Sequence, residues 1–208
     1  MRNTLILAAT CFAALAACSP KEEAPVASTE LAPVESAAAP PAEPAPASGD
    51  ALRADGWGPL KIGMTKAEVI AAVGDTSTPN AAGIPGSDCT EFKPQRAPGD
   101  DFWVMLEGGK LTRITVGEAS KVKTDKGLGV GDTAEAVKTA YGAEAKATPH
   151  KYQDKPAEYV TVWSGGPRAE QYVQDEAARG IVYEIGSSGK VSSIHAGGPS
   201  IQLVEGCA

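Results

Sequence analysis

The sequence predicts an α+β domain of two tandem units, each a short helix packed on an antiparallel β-sheet. Two observations carry the prediction. One 15-residue pattern occurs twice at a constant offset of 68 positions, with Leu60, Ile62, Gly63, Thr65, Val69, Ala72 and Gly74 matched by Leu128, Val130, Gly131, Thr133, Val137, Ala140 and Gly142. Each copy is then followed by two apolar runs split by a Gly-containing turn, the signature of a hairpin.

The elements follow in order. Thr65 and Thr133 are expected N-caps, because a hydroxyl can accept from a free amide of the first helical turn. Glu68 completes a Thr-x-x-Glu capping box in the first copy, whereas the second keeps only the cap, its Glu standing at position 135. Gly74 and Gly142 are expected to end the helices as left-handed caps. Helices this short need tertiary packing to persist. The first hairpin is expected from Phe102–Leu106 and Leu111–Val116 around Gly108-Gly109, the second from Ile181–Ile185 and Val191–Ala196 around Ser188-Gly189. Further strands are expected at 90–93, 159–163 and 171–173.

Two-residue loops in both hairpins would set Trp103 opposite Ile114 and Tyr183 opposite Ile194. Met105 and Ile185 then share their face, since side chains two apart point the same way. That more apolar set is expected beneath the helices. The other face would carry Phe102, Val104, Arg113, Val182, Glu184, Ser193 and His195, a mixture suited to a binding surface.

The Gly-x-Thr start of each copy and the strands after it resemble the fold shared by β-lactamase inhibitory protein and the small lipoprotein of the outer-membrane β-barrel assembly machine. The resemblance spans most of 57–196, with unit one at about 57–116 and unit two at about 125–196. It implies a helix-on-sheet fold and a habit of binding other macromolecules. It carries over no partner residue.

The amino end reads as an export signal. Arg2 precedes an apolar run, Leu5 to Ala16, broken only by Thr10. The run is too short to cross a bilayer, which takes about 20 residues. Its end, Leu15-Ala16-Ala17-Cys18, resembles the lipobox of bacterial lipoproteins. That resemblance implies cleavage after residue 17, acylation of Cys18, and attachment by more than one acyl chain. Ser19, where Asp would favour inner-membrane retention, points to the periplasmic face of the outer membrane. Residues 18–50 read as a disordered tether: positions 19–50 hold seven Pro, nine Ala and five Glu and no aromatic residue. Residues 51–208 are left as the folded domain. Without residues 1–17 the chain keeps 18 basic and 26 acidic residues, an acidity that gives nucleic acid no electrostatic footprint.

Two cysteines remain after Cys11 leaves with the signal and Cys18 is acylated. An exported chain favours pairing them, Cys89 with Cys207, closing a loop worth about 4–5 kcal/mol in the chain-entropy model. No catalytic constellation is expected. His150 and His195 are the only histidines; no zinc-ligand spacing and no Gly-x-Ser-x-Gly elbow occurs, and no cofactor motif is present. His195 reads as a half-buried strand residue, and Ser193 beside it as a serine without an oriented base. The expected function is non-catalytic binding of an envelope protein or other envelope component, the membrane being held through the acyl anchor. The alternatives are a lectin-like module using Trp and Tyr faces on carbohydrate or peptidoglycan, and an inhibitor of a periplasmic enzyme.

The lipobox reading is checked by metabolic labelling with a lipid precursor. The wild-type chain is expected to incorporate it and Cys18→Ala to lose it; equal labelling of both would reject acylation at this residue.

Overall fold

The computed structural model describes residues 49–75 and 87–207. The expected signal peptide, Cys18 and nearly all of the expected tether lie outside them. Within them the chain is mixed α and β, with two antiparallel sheets and two short α-helices. Three two-residue strands, β1 (Leu52–Arg53), β2 (Gly56–Trp57) and β3 (Leu60–Lys61), form a small sheet. Helix α1 (Lys66–Val73) leads to β4 (Cys89–Phe92), β5 (Phe102–Glu107) and β6 (Lys110–Val116). Helix α2 (Ala134–Tyr141) leads to β7 (Lys146–Pro149), β8 (Glu158–Trp163), β9 (Gly180–Ile185) and β10 (Val191–Gly197). Strands β4 to β10 make one seven-stranded sheet in the order β4-β5-β6-β10-β9-β8-β7.

The helix starts form as their sequences require. Thr65 accepts from the Glu68 amide, and the Glu68 carboxylate accepts from the Thr65 amide at 2.8 Å, a complete capping box. Hydrogen bonds from the Thr65 amide and the Thr65 hydroxyl hold the Glu68 carboxyl below its usual range. Thr133 accepts from the Ala136 amide at 3.1 Å without the reciprocal bond. Gly63 and Gly131, two residues before each cap, have φ of 98° and 90°, a region that L side chains rarely adopt. That turn lets Gly63 N–H donate to Leu111 O and Leu111 N–H to Met64 O. Gly131 N–H donates likewise to Val191 O, and Val191 N–H to Asp132 O. Each helix start is therefore stitched to the hairpin that follows it in the chain.

The core lies between the helices and one sheet face. Val69 and Val73 of α1 and Val137 of α2 pack with Phe102, Val104, Leu106, Leu111, Ile114, Val116, Ile181, Tyr183, Ile185 and Ile194. The Tyr183 side chain crosses this core. Its hydroxyl donates to Thr124 Oγ1 at 3.2 Å and lies 2.8 Å from that of Tyr141. Burial pushes the Tyr183 phenol far above its ordinary pKa, so it stays a neutral donor.

The face assignment holds in one hairpin and fails in the other. Tyr183 pairs with Ile194 as expected, and both face the helices with Ile185. In the first hairpin Trp103 pairs with Thr115, and Val104 pairs with Ile114. Phe102 and Val104 are therefore fully buried in the core, while Trp103 and Met105 point the other way. The cause is a β-bulge in each hairpin, set against loops of unequal length. The register shifts between Met105 and Leu106, opposite Thr112, in the first hairpin, and at Ser192 in the second. Four residues, 107–110, separate the pair Leu106↔Leu111, but five, 186–190, separate Ile185↔Val191. The longer second loop and its bulge offset each other and restore the simple register. In the first hairpin the bulge acts alone and slips the pairing by one residue, which exchanges the faces. Each bulged residue turns its hydroxyl back across the ladder, Thr112 to Met105 O and Ser192 to Glu184 O.

Three further differences matter. The expected strand at 171–173 is a loop with Val173 buried. The exposed edge strand β7 and the small β1–β3 sheet were not anticipated. Cys89 and Cys207 form the expected disulfide, with Cα atoms 5.4 Å apart, tying edge strand β4 to the carboxyl-terminal segment.

The face assignment is testable by urea unfolding. Phe102→Ala should cost about 3–5 kcal/mol as a large-to-small change in a close-packed core. Trp103→Ala, at a half-buried position, should cost clearly less, and the reverse order would restore the simple register.

Candidate ligand pocket

Away from the helices, β8, β9 and β10 turn a second set of side chains outward. Alternation brings Tyr159, Thr161 and Trp163 to this face from β8, Val182 and Glu184 from β9, and Ser193 and His195 from β10. Two segments pack over it. The connection between β8 and β9 supplies Val173 and Ala178, and a 3-10 turn at Pro199–Gln202 supplies Ile201; these join Trp163 and Val182 in a second apolar cluster. Between the segments a cavity of about 610 Å³ remains open. Val182, Trp163 and Ile201 form its apolar part, with Glu184 and His195 beside them.

The polar group beside the apolar wall is a closed network. The Glu184 carboxylate accepts from His150 Nε2 at 3.0 Å and from the Ser193 hydroxyl at 2.8 Å, with His195 Nε2 at 3.6 Å. These partners, His195 foremost, overcome partial burial and hold Glu184 at a pKa of about 2. His150 Nδ1 accepts from the Tyr152 and Gln153 amides at 3.1 and 3.2 Å, which leaves its proton on Nε2 facing Glu184. Its ring stacks on Tyr159 with centroids 4.6 Å apart. For His195, burial lowers the pKa against the opposing pull of Glu184. Nδ1 lies 3.0 Å from the Thr115 hydroxyl and Nε2 3.3 Å from Ser193 Oγ; the tautomer with its proton on Nε2, the nitrogen that faces the Glu184 carboxylate at 3.6 Å, has Nδ1 accepting from Thr115 and Nε2–H turned toward Ser193. In this arrangement the Ser193 proton goes to Glu184, and His195 presents N–H rather than a lone pair to Ser193. That is the wrong polarity for activating a serine nucleophile.

The expected surface residues divide into three groups. Val182, Glu184, Ser193 and His195 do come together here. Phe102 and Val104 are corrected to the core: neither can meet a partner, because the bulge points both beneath the helices. Arg113 is on the outward face but 4% exposed, covered by the carboxyl-terminal segment. It donates to the Leu203 and Ser200 carbonyls at 2.7 and 3.3 Å and pairs with the Glu91 carboxylate. Arg113 therefore fastens the segment that forms one pocket wall instead of touching a ligand.

Several lining residues escaped the sequence reading. The alternating Tyr159, Thr161 and Trp163 on one strand were a usable signal. Lys146, Arg168, Tyr172, Leu203 and Val204 were not legible, because they reach the pocket from an edge strand, a connection and the terminal segment. Among the described residues no group of three or more His, Cys, Asp or Glu is disposed to hold a metal ion, and no helix is long and apolar enough to cross a membrane.

Comparison with known proteins finds no matching family model, no matching curated protein and no matching solved structure.

The Glu184 network makes stability depend on acid. A carboxyl depressed from 4.5 to about 2 contributes stability that is complete above 4.5 and is lost as pH falls toward 2. The lowered His195 acts in the same direction, its loss starting as pH falls through 6.5. Urea midpoints measured against pH should fall through both windows in the wild type. Glu184→Gln should flatten the lower one, and an unchanged slope there would mean that Glu184 is not held ionised by these partners.

Proposed function

We propose that this chain is a lipoprotein held by acyl chains on Cys18 at the periplasmic face of the outer membrane, and that its domain binds an envelope component without catalysing a reaction. The observation that carries the binding reading is where exposed apolar side chains gather. Of the four large hydrophobic residues that are exposed among the described ones, Tyr172, Leu203 and Val204 line this cavity, and Tyr152 follows Lys151, which also lines it. Exposed apolar surface concentrated around a concave site marks a place where a partner removes it from water. The polarity of the Ser193–His195 contact supports binding over catalysis.

The domain also reads as two tandem units in the manner of the β-lactamase inhibitory protein fold. Supporting this, Lys66 N–H donates to Gly109 O and Ala134 N–H to Gly189 O, the same contact at corresponding places. A lectin-like role is the second reading, favoured by Tyr159, Trp163 and Tyr172 around one cavity.

A photocrosslinking amino acid at Tyr172, expressed in intact cells, tests the site. An envelope-derived adduct is expected at Tyr172 and not at exposed Glu118. Adducts at Glu118 alone would move the site elsewhere.

A further inference from the structure

We propose that the pocket takes one amphipathic anion, a free molecule with an apolar body of fatty-acid or aryl type and a single acid group. The proposal rests on the pocket being the binding site. A cavity of about 610 Å³ fits a ligand of small-molecule size.

The lining decides the chemistry. Four aliphatic side chains, Val182, Ile201, Leu203 and Val204, join Trp163 and Tyr172 around the cavity. A sugar presents hydroxyls along its whole length and needs a matching set of donors and acceptors. Here the central polar groups are spent on one another: Glu184 accepts from His150 and Ser193, and His195 is bonded to Thr115. At Glu184 and His195 a ligand hydroxyl would have to break one of those bonds, whereas a hydrocarbon leaves them intact; the buried Tyr159 hydroxyl, which has no partner among the described residues, offers one polar position in the lining.

The polar end of the ligand is set by charge at the edge. Lys151 is paired with Glu205 at 3.3 Å. Lys146 donates to the Arg168 carbonyl at 3.5 Å, which brings strand β7 and the β8–β9 connection together at the mouth. Lys146 and Arg168 both line the cavity, with Glu170 as the acidic side chain on the same stretch, two positive charges against one. An acid group at Lys146 and Arg168 with hydrocarbon over Trp163 and Val182 satisfies both ends, and it covers the exposed Tyr172 and Leu203.

The test uses the full chain carrying Cys18→Ser, so that no acyl chain of its own competes. Isothermal titration compares monomeric dodecanoate, dodecanol and dodecylammonium. Dodecanoate should bind at least about tenfold more tightly than dodecylammonium, the range of one charge-assisted hydrogen bond. From octanoate to dodecanoate, affinity should rise about threefold to fourfold per methylene. Arg168→Ala combined with Lys146→Ala should weaken dodecanoate about tenfold and leave dodecanol unchanged. Both positions are at the mouth and not in the core, so the melting temperature should hold. Equal binding of all three head groups, or dodecanoate binding indifferent to the double substitution, overturns the proposal. So does binding of a soluble peptidoglycan disaccharide in place of dodecanoate. Flotation with phosphatidylglycerol vesicles without binding of the free acid would also overturn it, identifying a membrane surface as the partner. A Tyr172 adduct without dodecanoate binding retires this inference and leaves the pocket as the site; absence of both retires the pocket as well.

Discussion

The pairing of β6 with β10 is the constraint on which the rest of the structure depends. It joins the two hairpins into one sheet, with Ile194 opposite Val116, Ala196 opposite Ile114 and Gly197 opposite Arg113. On one face it places Ile114, Val116, Ile194 and Ala196 side by side, all fully buried beneath both helices. On the other it sets His195 against Thr115, the contact that orients the imidazole. Gly197 permits the closing approach. Its φ is 153°, and a Cβ there would meet the Thr112 carbonyl oxygen at 2.2 Å. The bulged residue of the first hairpin and the end of the second thus come too close for any side chain between them.

That junction also explains why the far face is closed on one side and open on the other. Over β5 and β6 the carboxyl-terminal segment is held by the Cys89–Cys207 disulfide and by Arg113. Burying a guanidinium costs several kcal/mol unless it is well paired. The Glu91 carboxylate and two backbone carbonyls supply that pairing at the two terminal nitrogens, while the buried Nε has no partner among the described residues. Those carbonyls belong to residues 200 and 203, beside Ile201 and Val204 of the pocket wall. The shape of the cavity over β8 to β10 is therefore coupled to an ion pair under the other half of the sheet.

Within the cavity, the ionised Glu184 organises what surrounds it. Its two oxygens receive a histidine from the loop after β7 and a serine from β10, so one carboxylate orients groups from separate parts of the chain. A network satisfied in this way is rigid and leaves little polar capacity for an incoming group.

Local chemistry was legible in the sequence wherever it depends on neighbours in the chain. Thr65 with Glu68, Thr133, Gly63 and Gly131 specify the helix starts and the turns before them, because caps and positive φ are set within a few residues. The Cys89–Cys207 bridge was legible because the amino end reads as an export signal and two cysteines are left over. Val182, Glu184, Ser193 and His195 were placed together because β9 and β10 obey simple alternation. Phe102 and Val104 went to the wrong face because the pairing of β5 turns on one bulge and one residue of loop length, and period-two alternation inverts on a one-residue slip. The pocket walls lay beyond reach for a different reason. Arg113 is on the outward face in either reading, but whether it meets solvent depends on the carboxyl-terminal segment folding back some 90 residues later. Hydrophobic pattern and turn chemistry determined the two helices and the two hairpins; the pairing across the sheet and the packing of distant segments decided which edge strands formed, which face became core, which was covered, and where a cavity remained.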